Sequence, residues 1–237
     1  GMDTGILSQS LQQIGGERSL GEYARQLQEH PQAAGILKML DMDGDGDSDL
    51  LFSDRKGDKR GVNWLENPGG AEAASPEKWT EHVIGGKEHE VMFLSVGDLN
   101  HDGARDIVCP TRNGEILLFE GNGNGWKIHS TPNPFGVPHG KAVAIGDIDN
   151  DGRNDLFHVT NTGRNRELPG ATWMSQRPDK PWSSKWNVTD VSGSVGVKFD
   201  LVELVDLDGD GDLDAITCEE VDNLGVFWFE NPLYKSE

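Results

Sequence analysis

Basic side chains are scarce in this chain: 21 Lys and Arg stand against 41 Asp and Glu, for a net charge of −20. That balance argues against nucleic acid as a ligand, because phosphate binding needs clustered cations. Cysteine is nearly missing as well, with only Cys109 and Cys218. They fall at matching points of a repeat described below and are read as small buried hydrophobes rather than a disulfide pair, which leaves the redox compartment open. No apolar run approaches the ~20 residues a helix needs to span a bilayer. The usual catalytic signatures are also missing: no Gly-x-Ser-x-Gly elbow, no His-Glu-x-x-His, no P-loop and no Cys-x-x-Cys. Gly1 before Met2 reads as a remnant of tag removal, so a native leader would lie outside this sequence.

What the chain has in excess is aspartate, and it is patterned. Four segments fit Asp-x-Asp/Asn-x-Asp-Gly-x-x-Asp: 41–49, 98–106, 147–155 and 206–214. They hold 17 of the 41 acidic residues, so the acidity belongs to these loops rather than to a surface awaiting a cationic partner. A hard cation takes about six to eight oxygen ligands at roughly 2.3–2.6 Å. Side chains at loop positions 1, 3, 5 and 9 supply most of them, and the glycine at position 6 permits the turn that points them inward. The pattern predicts calcium, about one ion per loop and up to four. The expected ligands are Asp41, Asp43, Asp45 and Asp49; Asp98, Asn100, Asp102 and Asp106; Asp147, Asp149, Asp151 and Asp155; and Asp206, Asp208, Asp210 and Asp214. Asn100 removes one charge from the second loop, which should bind more weakly.

These are not EF-hands. An EF-hand closes with a bidentate Glu at position 12, where this chain has Phe52, Cys109, His158 and Thr217. The flanks are short apolar runs, such as those at 35–40, 91–96 and 142–145, and they read as buried strands. Spacings of 57, 49 and 59 residues between loop starts point to a propeller or solenoid. After each loop come a second strand and a third (61–68, 114–120, 170–174 and 225–232), and a fourth opens with Trp79, Trp126 or Trp186. Four strands per unit is the composition of a propeller blade. Trp64, Trp173, Trp228, Trp79, Trp126 and Trp186 are expected to fill space between blades, and Trp182 is the best candidate for an exposed aromatic. His82 and His129, each in a Trp-x-x-His outer strand, are read as structural hydrogen-bonding groups, and His101 as solvent-facing.

Loop and strands together resemble the FG-GAP/VCBS family, the integrin-type calcium-binding β-propeller repeat, over residues ~35–232. The resemblance implies an all-β fold of four-stranded antiparallel blades, carries the calcium-ligand roles onto the loop residues named above, and fits a secreted or periplasmic setting. Blades are expected at about 34–86, 87–136, 137–193 and 194–237, preceded by a segment, 1–33, that forms a helical cap or a closing strand. An open ring would leave a strand edge that favours a homo-oligomer.

A second cluster is expected at the blade ends opposite the calcium loops, where the second-to-third turns meet the starts of the first strands. It comprises Arg55, Lys56, His89, Glu90, Arg112, His139, Lys141, Lys198 and Glu219. Arginines there would clamp a carboxylate, and a desolvated Lys141 or Lys198 would serve as a base. Loops are also polar simply because they are solvated. The leading function is a non-enzymatic module that binds a glycan or a protein surface. The alternative is a carbohydrate lyase or dehydratase, since 53–57, 63–68 and 198–202 resemble the propeller of aldos-2-ulose dehydratase-type proteins. In that reading Lys141 or Lys198 abstracts a proton, His89 or His139 holds a metal, and Glu219 is a further catalytic candidate.

Overall fold

The computed structural model describes residues 37–57, 59–123, 125–176 and 186–233. The segment 1–33 and Trp182 lie outside the described residues. The chain is all-β: its sheets are antiparallel propeller blades, and the described helices are 3-10 turns of three to five residues. It divides into two compact units, 1–88 and 89–237.

The first unit holds one sheet, β1 (Leu37–Leu40), β2 (Asp49–Asp54), β3 (Gly61–Glu66) and β4 (Thr80–Gly85), paired in that order. β2, flanked by a strand on either side, is buried along its whole length. Trp64 stacks on His82 across β3 and β4, with ring centroids 4.3 Å apart. His82 Nε2 meets Glu66 Oε2 at 2.6 Å, the structural role expected of it.

The second unit holds three sheets. One is β5 (Ser95–Gly97), β6 (Asp106–Pro110), β7 (Glu115–Gly121) and β8 (Trp126–Pro132). The next is β9 (His139–Gly146), β10 (Asp155–Asn161), β11 (Ala171–Ser175) and β12 (Asn187–Asp190). The last, β13 (Phe199–Val205), β14 (Asp214–Glu219) and β15 (Gly225–Phe229), has three strands among the described residues. β5 is shorter than the apolar run at 91–96 predicts. The reason lies in where its backbone bonds go: Phe93 N–H donates to Lys141 O of the next sheet at 3.1 Å, and Val91 makes only an isolated bridge to Thr111.

The middle sheet of this unit is packed on both faces. Val143, Leu156, Met174 and Trp186 meet Leu99, Val108, Ile116 and Leu118 on one side. Ala142, Ala144, Phe157, Val159 and Ala171 meet Phe199, Val202 and Ala215 on the other, joined by Phe227 and Phe229. Period-two alternation assigns each residue to its side, and the alanines let the inner strands approach closely. Trp186 fills an inter-sheet space as expected, whereas Trp228 is 37% exposed and does not. Its neighbour on the same face, Val226, is 73% exposed, because β15 is an outer strand in the described structure.

Candidate metal centre and the opposite blade ends

Each aspartate loop joins the first and second strands of its sheet. Position 1 organises the loop through backbone N–H groups. Asp41 accepts from Gly44 and Gly46, Asp98 from Asp102 and Gly103, Asp147 from Asp151 and Gly152, and Asp206 from Gly209 and Gly211. The position-6 glycines take φ of +96° at Gly46, +85° at Gly103, +85° at Gly152 and +99° at Gly211, a region other residues enter only with strain. The result is three carboxylate trios whose oxygens lie within 4.8 Å of one another: Asp41, Asp43 and Asp45; Asp147, Asp149 and Asp151; Asp206, Asp208 and Asp210.

Loop two differs from the others at Asn100. The Asn100 amide donates to Asp102 Oδ2 at 3.0 Å and so occupies one of the oxygens a cation would want. In loop three the Arg153 guanidinium bonds Asp151.

The position-9 aspartates differ from the other three loop positions in their surroundings. They stand outside the trios, are 0–1% exposed, and use both oxygens on N–H groups of the protein. Asp49 accepts from Met42 N (2.6 Å) and Asn67 N (2.8 Å), Asp106 from Leu99 N (2.8 Å) and Gly121 N (3.1 Å), and Asp214 from Leu207 N (3.0 Å) and Asn231 N (2.8 Å). Asp155 accepts from Trp173 Nε1 (2.9 Å) and Gln176 N (3.1 Å). Each therefore staples its loop to the end of the third strand. Burial pushes Asp106 and Asp155 up to about 6, against the lowering effect of those bonds. Asp49 is raised for the same reason, and Asp149 by burial and the charge of Asp151.

The donor set fits a hard divalent cation. Every group in the trios is a carboxylate oxygen, the form calcium prefers. In loop one, Asp47 Oδ1 is buried without a hydrogen-bond partner, and burial together with the surrounding aspartates raises its pKa. Such an uncompensated acidic site is relieved by a cation.

Residues that the aspartate pattern did not single out complete these loops. Asn67 donates its amide to Ser48 O, and Asn231, at the same place in the last repeat, donates to Leu213 O and Ile148 O. Gln176 is their counterpart in the third repeat, bonding Leu99 O and Asn154 O. The sequence signal was the recurrence of Glu-Asn-Pro at 66–68 and 230–232. His101, expected to face only solvent, is exposed but accepts a bond from Asn154 N at 3.1 Å.

At the other end of the blades, the members of the expected cluster are divided between the two units. Arg55 is half-buried and Lys56 exposed, both in the first unit. In the second unit Arg112 Nε lies 4.0 Å from Glu90 Oε2, and His89 Nδ1 3.7 Å from Glu115 Oε2. His139 Nδ1 is 3.0 Å from Arg112 O. Lys141 pairs with Asp200 and sits 5.5 Å over the Phe93 ring. Lys198 pairs with Glu220. Glu219 is buried, and its carboxylate accepts N–H bonds from Val197, Lys198, Val221 and Asp222, which makes it a scaffold for the turn. Register also separates the two lysines. Gly140 faces Thr160 and Phe199 faces Glu219, so Lys198 is level with His139, and Lys141 with Asp200.

Both cysteines are free. Buried Cys109 donates to Met92 O at 3.3 Å, and burial pushes its thiol up to about 12, so it behaves as a hydrophobe. No helix among the described residues is long and apolar enough to cross a membrane.

Residues 41–109 and 98–158 match the family described as FG-GAP-like repeat. The chain is also 35% identical over 77 residues to mouse Cartilage acidic protein 1, a match covering 31% of this chain and 12% of that protein.

Proposed function

This chain is built from FG-GAP-like repeats, and from that premise we propose that it is a calcium-stabilised β-propeller module that binds a glycan or a protein surface. The observation that carries the metal half is the set of carboxylate trios at positions 1, 3 and 5, held in place by backbone N–H groups of the loop. Asp41, Asp43 and Asp45, Asp147, Asp149 and Asp151, and Asp206, Asp208 and Asp210 would hold the ions, with the second loop weaker through Asn100. A bound cation supplies charge compensation that fixes the loop between two strands, so metal binding and blade folding are linked. The position-9 aspartates anchor that loop from below. Calcium dependence favours a secreted or periplasmic location, where the ion is abundant.

The ligand-binding half rests on the opposite blade ends in the second unit. Phe93, Lys141 and Asp200 offer an aromatic surface beside a paired amine and carboxylate. That chemistry suits sugar hydroxyls or polar side chains. The lyase reading is disfavoured by the same geometry: Lys141 and Lys198 are ion-paired, and the Glu219 carboxylate is taken up by backbone N–H groups.

The test is elemental analysis and a thermal melt of protein dialysed against metal-clean buffer with and without calcium. About three to four bound ions and a calcium-dependent melting temperature are expected. No bound calcium and an unchanged melt would overturn the metal half. A glycan array with wild type and Lys141→Met then tests the ligand half, which fails if no glycan is retained and no protein surface competes.

A further inference from the structure

We infer that the calcium loops of the second unit are coupled, so that filling loop three prepares loop two. This rests on the calcium reading above and adds to it a relay of bonds between neighbouring loops. Asn154, at position 8 of loop three, donates its amide to Asp98 O, the carbonyl of the first ligand of loop two, at 2.8 Å. Its backbone N–H donates to His101 Nε2, at position 4 of loop two, at 3.1 Å. Gln176, tied to Asp155 through its own N–H, donates its side-chain amide to Leu99 O in loop two and to Asn154 O in loop three. Gln176 is buried, so these bonds are shielded from water.

The same device recurs one blade further on. Asn231, tied to Asp214 through its N–H, donates to Ile148 O in loop three at 2.8 Å and to Leu213 O in loop four at 3.2 Å. In both cases the accepting carbonyl in the earlier loop belongs to position 2, the residue whose N–H reaches the position-9 aspartate in loops two and four. Each amide thus joins two loops at the peptide next to the first ligand.

The consequence is directional in a useful way. Loop two is the poorest of the set, with Asn100 in place of a carboxylate and its amide turned onto Asp102. Ordering it costs conformational freedom that a weak site repays badly. An ion in loop three fixes residues 147–155, and with them Asn154, so part of that ordering is already done when loop two binds. Coupling of this kind is reciprocal, and typical magnitudes are about 5–150-fold in affinity.

The experiment uses the full chain, stripped of metal. Calcium is titrated by calorimetry and native mass spectrometry, with amide hydrogen exchange reporting on the 98–106 peptide. Asp147→Asn with Asp149→Asn disables loop three, and coupling predicts a loop-two affinity at least about fivefold weaker. Asn154→Ala keeps every proposed ligand and removes the bond to Asp98 O at a half-buried position, which guards against a folding defect, and Asn154→Ala with Gln176→Ala removes every side-chain bond of the relay. The double variant is the decisive one. It should reach the same number of ions at saturation, with loop two weakened to a similar extent and its calcium-dependent exchange protection shifted to higher calcium. If loop two takes up calcium with unchanged affinity in the Asn154→Ala, Gln176→Ala double variant, coupling through these amides is overturned while the calcium reading stands. If wild type binds no calcium, the calcium reading fails and the coupling with it.

Discussion

Replacing His158 with leucine should remove a large part of the acid sensitivity of the second unit. His158 lies on β10 between Val143 and Thr172, fully buried, and neither ring nitrogen has a hydrogen-bond partner. Burial without a partner disfavours the imidazolium, and its pKa falls from 6.5 to about 3. The unfolded chain therefore binds a proton more readily than the folded one between those values. Stability from this group is complete above pH 6.5 and is lost as pH falls toward about 3. At pH 4.5 the loss amounts to about 3 kcal/mol, and across the whole window to about 5 kcal/mol. Asp106 and Asp155 act with the opposite sign. Their folded values near 6 mean that stability rises as pH drops through the window from 6 to 4. Both are unchanged in the variant, so they cancel in the difference. The assay is urea unfolding of metal-free wild type and His158→Leu at pH 7 and pH 4.5. At pH 7 the leucine should be neutral or stabilising, because it removes two buried unpaired nitrogens. At pH 4.5 the variant should gain a further ~3 kcal/mol over wild type. An equal pH dependence in the two proteins would refute a neutral, unpartnered imidazole at this position.

Calcium at 100 times its dissociation constant should stabilise the fold by about 2.7 kcal/mol per occupied loop, read as a rise in melting temperature that chelator reverses. Asp214→Asn turns an amide donor toward the N–H groups of Leu207 or Asn231. It should cost about 2–4 kcal/mol in urea unfolding even without metal, whereas Asp210→Asn should cost little there and mainly weaken calcium. Gly140→Ala should destabilise by about 1–3 kcal/mol, since the new methyl would meet Pro110 Cβ at 2.6 Å and Thr111 O at 3.1 Å. A wild-type melting curve for that variant would mean the two sheets can separate without cost.

Much of this protein was decided locally and could be read before any coordinates. The aspartate loop is self-contained. Its glycine must take a positive φ, and its first carboxylate must collect the loop N–H groups, because both are set within nine consecutive residues. Alternation and turn residues fixed strands two, three and four of the repeats for the same reason. A structural role for His82 and His129 was legible too, and the pairing of adjacent strands supplied their partners, Glu66 and Glu120.

What the one-dimensional pattern did not settle depends on residues far apart in the chain. The position-9 carboxylate is legible in the motif, but its partners at Asn67, Gly121, Gln176 and Asn231 arrive only when the third strand folds back. Lys141 and Lys198 are interchangeable candidates by sequence, yet the pairing of β9 with β10 and of β13 with β14 sets them two residues apart. The bonds of Gln176 and Asn231 to the preceding loop span 77 and 83 residues. A sequence specifies which atoms need partners. Only the stacking of one sheet on the next decides which partners are within reach.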